Sequence, residues 1–232
     1  MTYGRLGRFL ATAALTMLGC DGPVPTREEI VARYPDAEAG SAQPENLKIL
    51  CPFLRMLHRA GLVDDAGPAW GRTAVAVGSV ARASREFGCA TLDCGAVALL
   101  VSSRQGPSGL DIERLHDAAP ISHECGLTWG KGETEVNAIV RQATLDRLAE
   151  LADENGNLVY EDIERVKLEI CAAQNVTMTQ GGEIEMKVMF AYLGGVENGS
   201  VRLIDVERLL NATMPETKTT SWVNSALVGQ VE

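Results

Sequence analysis

Apolar positions recur at helical spacing along most of this chain. Leu54, Met56 and Leu57, with Gly61 as a stop, predict a helix over 52–60. Val75–Arg85, Gly95–Ser103, Val136–Ala152, Ile163–Ala173 and Glu183–Leu193 carry further helical patterns. Continuous alternation of the strand type is scarce. The fold class that follows is mainly α, a single compact helical domain over residues 45–216. Pro23, Pro25, Pro35 and Pro44 mark 21–44 as an extended linker or arm, and 217–232 reads as a loosely ordered tail.

The first twenty residues look like an address. Arg5 and Arg8 precede an apolar stretch, Phe9 to Leu18, that is too short to span a bilayer. Met17-Leu18-Gly19-Cys20 resembles a bacterial lipoprotein signal, which implies lipidation at Cys20; a plain secretory signal is the other reading. Both predict export: a periplasmic or membrane-anchored lipoprotein, otherwise a secreted protein. The expected membrane contact is the N-terminal lipid alone.

Composition narrows the field. The chain of 232 residues carries 21 Lys and Arg against 31 Asp and Glu, a net charge of −10. An acidic surface argues against gripping nucleic-acid phosphates. Export changes how the six cysteines are read, because thiols pair in an oxidising compartment. Cys89 and Cys94 are close enough to close a small loop, and Cys125 with Cys171 is a second candidate pair. Spacing leaves the connectivity open. Cys51 is the odd one out.

A phrase recurs along the chain. Glu154-Asn-Gly-Asn-Leu158 followed by Asp162-Ile-Glu-Arg165 returns as Glu197-Asn-Gly-Ser-Val201 followed by Asp205-Val-Glu-Arg208. One reading is an EF-hand-like calcium loop, with Asp153, Asn155 and Asn157 at ligand positions. The glycine falls too early for that loop, and the loop is too short. The plainer reading is a glycine turn, one apolar contact and an Asp capping the next helix.

The richest segment is Asn46-Leu-Lys-Ile-Leu-Cys51-Pro52-Phe-Leu-Arg-Met-Leu-His-Arg-Ala-Gly61-Leu62. Pro52 at the first helical position puts Cys51 at the N-cap, facing unpaired amides and the positive end of the helix dipole. That setting favours a thiolate, either a nucleophile or a soft ligand for heme iron. A buried free thiol behaving as a small hydrophobe is the other reading.

Cys-Pro-x-Leu-x-x-Leu followed by Gly-Leu resembles the proximal helix of the heme-thiolate chloroperoxidases and unspecific peroxygenases. The resemblance runs on through Ile121-Ser-His-Glu-Cys-Gly-Leu127, Arg147-Leu148, Gly156-Asn-Leu158 and Gly199-Ser-Val to Met214-Pro215, roughly residues 45–216. It implies heme b with Cys51 as the iron ligand, hydrogen peroxide as oxidant, and a halide or small organic molecule as substrate. It also implies a distal acid–base carboxylate, matched best by Glu183 with Glu185 as the competing choice, and His123 to position it. Glu124 and Ser122 are supporting candidates, Glu124 through a hydrogen bond to His123. A disulfide before the segment matched by Ser122-His123-Glu124 occurs in some members and suits Cys89–Cys94. Ser122 and Gly126 stand where the family has oxygen ligands for a divalent cation, so no tightly bound cation is expected.

Two other functions remain on the sequence. One is a non-catalytic lipoprotein, either a degenerate heme binder or an EF-hand-like calcium module. The other is a cysteine hydrolase or acyltransferase in which His123 activates Cys51. His58 and His116 read as ordinary helix-surface residues.

Overall fold

The structure is a computed structural model that describes residues 22–39, 44–63, 74–105, 109–117 and 121–231. The signal-like segment 1–20 and its Cys20 lie outside the described residues. The chain is mainly α, as its periodicity predicts. Its helices are α1 (Arg27–Arg33), α2 (Pro35–Ala39), α3 (Pro52–Arg59), α4 (Val77–Glu86), α5 (Thr91–Gln105), α6 (Ala138–Leu151), α7 (Tyr160–Ala173), α8 (Gln180–Tyr192), α9 (Gly195–Asn198), α10 (Leu203–Leu210) and α11 (Ser225–Val228). All six expected helices are present. Gly61, at φ +72°, ends α3 in the left-handed region that glycine enters without strain.

Strand is confined to two short antiparallel pairs. β1 (Ala74–Val75) pairs with β2 (Leu110–Asp111), and β3 (Asn157–Leu158) pairs with β4 (Val201–Arg202). The second pair joins the two copies of the repeated phrase, with Asn157 opposite Arg202 and Leu158 opposite Val201. In the first copy the Asp153 carboxylate accepts the amides of Asn155 and Asn157 at 2.9 and 2.7 Å, so it closes its own turn. Asp162 accepts the Val159 amide at 3.2 Å at the start of α7. In the second copy Asp205 is fully buried and accepts the amides of Glu216 and Thr217 instead. The repeat is a turn device, used once to start a helix and once to hold the segment beyond α10.

The arm and the tail depart from expectation. Residues 27–39 form two helices rather than an extended tether. Thr26 and Glu29 close a capping box at the start of α1, and Ile30 and Ala37 are buried in the main core. The tail is held as firmly. The Lys218 ammonium donates to the carbonyls of Pro25 and Thr219, both at 2.9 Å, and Glu197 accepts the Thr219 hydroxyl at 2.7 Å and the Ser221 amide at 3.0 Å. Val223, Leu227 and Val231 join the same core. Arm and tail are also joined to each other, the Trp222 indole donating to the Gly22 carbonyl at 2.9 Å.

Disulfides join Cys89 to Cys94 and Cys125 to Cys171, with Cα atoms 6.1 and 5.4 Å apart. Cys51 is the free cysteine among the described residues.

Candidate functional site

Three separated stretches meet at one buried place: the start of α3, the loop 121–130, and the first turns of α8 against α7. Arg55 fixes the first. Its guanidinium is fully buried and donates to the carbonyls of Ile49, Leu50 and Leu210, while Glu45 pairs with it at 2.9 Å. Cys51 thereby sits at the N-cap of α3, with Pro52 opening the helix.

The Cys51 sulfur makes no capping hydrogen bond. Burial pushes its thiol up to about 11; the Leu54 amide, the Arg55 guanidinium and the Phe53 amide pull the other way, and Glu185 adds to the rise. The helix N-terminus was expected to favour the thiolate, but loss of solvent outweighs it. Cys51 is therefore a thiol rather than a thiolate at neutral pH. A coordinating metal deprotonates such a thiol outright.

The loop 121–130 is folded around Trp129. The Gly126 amide donates to the Trp129 carbonyl at 3.0 Å. A Cβ at Gly126 would fall 2.1 Å from the indole nitrogen, so that turn admits only glycine. Trp129 packs with Leu50 and Val136, which ties this loop to the residue before Cys51. It also packs against two histidines with tilted rings, its centroid 5.2 Å from that of His123 and 5.5 Å from that of His116. His116 is thus largely covered rather than a surface residue, and burial lowers its pKa. The Cys125–Cys171 disulfide staples the loop to α7 two residues past His123.

α8 approaches from the other side. Its N-cap Thr179 donates to the Ser122 carbonyl at 3.1 Å. Gly181 lets it come this close, because a Cβ there would lie 2.8 Å from the Ile121 carbonyl. The carboxylate this brings to His123 is Glu185. His123 Nε2 lies 3.1 Å from Glu185 Oε2, and the Lys167 ammonium on α7 donates to that same oxygen at 2.8 Å. His123 Nδ1 lies 2.9 Å from the Ile121 carbonyl, which makes Nδ1 a donor. Burial pushes the Glu185 carboxyl up, but Lys167 and His123 outweigh it and hold it well below the usual carboxylate range.

The structure places the candidate carboxylates differently from one another. Glu183 does not meet His123: it pairs with Lys187 one turn on, at 3.1 Å, and is 44% exposed. Two residues along a helix turn a side chain by roughly 200°, so Glu183 and Glu185 occupy opposite faces. Glu124 is exposed and does not orient His123, because the two ring nitrogens face Ile121 and Glu185. Ser122 contributes its carbonyl to Thr179. Lys167 went unnoticed in the sequence.

Cys51 and the Glu185 carboxylate are near enough to act on one another electrostatically. Two clefts lie elsewhere, one beside Tyr34, Arg82 and Glu86, the other beside Pro23, Trp222 and Leu227. Among the described residues no group of three or more His, Cys, Asp and Glu is arranged to hold a metal ion, and no helix is long and apolar enough to cross a membrane. A single-thiolate heme site needs no such group. The donors at this place are one free, half-buried sulfur and a carboxylate–imidazole pair within its electrostatic reach. No protein-family profile matches the chain, and no curated protein matches it.

Proposed function

We propose that this chain is a heme-thiolate peroxidase or peroxygenase-like oxidoreductase, using hydrogen peroxide on a halide or a small organic molecule. The observation that supports the reading is a free Cys51 at the start of α3, within electrostatic reach of a Glu185 carboxylate that lies 3.1 Å from His123. Cys51 would hold the iron of heme b, and the heme would supply the redox chemistry when bound. Glu185 is the acid–base group. With peroxide bound, its carboxylate would accept the peroxide proton and return it to the departing oxygen. His123 positions it from the side of the Trp129 loop. Export, with a lipid at Cys20, is part of the same proposal; two disulfides suit an oxidising compartment.

The packing around Cys51 favours one second reading. Lys167 and Glu185 close a buried ion pair there, and neither cleft reaches the sulfur. A non-catalytic relative that keeps the fold without the cofactor has the same features. One measurement divides them. The protein purified from heme-supplied cells, reduced and exposed to carbon monoxide, is expected to show the red-displaced Soret band of thiolate ligation, and Cys51→Ala to lose it while keeping its helix content. A folded wild type without Soret absorption selects the second reading.

A further inference from the structure

Lys167 is the buried charge that this reading leaves without a task. It lies on the inward stripe of α7, between Ile163 and Cys171, and is 0% exposed. A lysine in such a place keeps its charge only against an anion, and Glu185 Oε2, 2.8 Å away, is the anion.

His123 shares the same carboxylate oxygen: its Nε2 lies 3.1 Å from Oε2, while Nδ1 donates to the Ile121 carbonyl. Both contacts fall on Oε2, and neither uses Oε1. The Glu185 side chain is 23% exposed.

We propose that Lys167 is a positioning residue which, with His123, pins Glu185 by Oε2 and leaves Oε1 as the oxygen that accepts a hydrogen bond from a bound ligand. The inference deepens the peroxidase reading and rests on it for the ligand, but not for the pinning. The charged and titratable groups that act on Glu185 are Lys167, His123 and Cys51.

The test is carbon-13 NMR of the full-length chain labelled at the glutamate carboxyl, in the reduced carbon monoxide form if heme copurifies. Loss of one signal in Glu185→Gln assigns the resonance. In the wild type it is expected to stay at the carboxylate position below pH 4.5. In Lys167→Met its midpoint is expected to rise by a unit or more, a tenfold change in proton affinity, and Lys167→Arg is expected to restore most of it. An unchanged midpoint in a folded Lys167→Met overturns the proposal. If that variant does not fold, the wild type still decides. A lysine ammonium nitrogen signal protected from exchange and moving with the Glu185 titration supports the proposal, and its absence overturns it. Soret absorption is read on the same samples, so loss of the heme reading and loss of this one are told apart.

Discussion

The two faces of α8 carry the same residue type in opposite circumstances. Glu183 and Glu185 are separated by one residue, yet Glu183 lies in water beside Lys187 and Glu185 is held by two basic groups against the core. An exposed i,i+4 pair contributes a few tenths of a kcal/mol and is screened by salt. A buried pair is different in kind, because removing one member leaves the other as an uncompensated charge. The difference teaches that position around the helix, set by the Thr179 cap and the Gly181 contact, decides which carboxylate has chemistry available.

The largest effect expected from breaking this contrast is Glu185→Gln, which leaves the Lys167 ammonium buried without an anion. A loss of about 3–5 kcal/mol is expected, read as a lower urea midpoint at constant slope. A loss below 1 kcal/mol would show that the cluster is open to water. Lys167→Met combined with Glu185→Gln is expected to recover part of that loss, through a coupling of about 0.5–3 kcal/mol measured in a double-mutant cycle.

Acid sharpens the same comparison. The Glu185 carboxyl titrates below its ordinary 4.5 in the folded chain, so the stability it contributes is present above 4.5 and lost as the pH falls below it. Urea midpoints of the wild type are expected to fall more steeply below pH 4.5 than those of Glu185→Gln. Parallel curves would remove Glu185 from the acid response. The smallest effect belongs to Glu183→Gln, within about 0.5 kcal/mol and weaker still in high salt.

Much of this was legible in the sequence, and the failures have physical causes. The helices from α3 to α8 announced themselves by apolar spacing. The arm did not, because α1 and α2 are short and each anchors through one buried residue, Ile30 or Ala37, too few to set a period. The tail is held by hydrogen bonds to Glu197 and from the Lys218 ammonium and by three buried residues, Val223, Leu227 and Val231, too few to set a long period. Cys51 and His123 were visible as residue types with a reason to be where they are. The choice between Glu183 and Glu185 depended on where α8 begins. A start at 183 left the side each carboxylate faces unfixed, whereas the Thr179 cap settles it. Lys167 did leave a signal. It stands four residues after Ile163 and four before Cys171, a lysine in the middle of an apolar stripe.

The Cys125–Cys171 bond reaches beyond the folded state. It spans 46 residues of chain, enough to remove about 4 kcal/mol of freedom from the unfolded ensemble. Because it lies two residues past His123 and one helical turn past Lys167, it keeps these two groups tethered when the helices have melted. Their mutual concentration is then set by a short leash and is about millimolar, whatever the dilution of the protein. Rebuilding the cluster becomes a single docking event, the return of α8 with Glu185 to a pair of basic groups already waiting side by side.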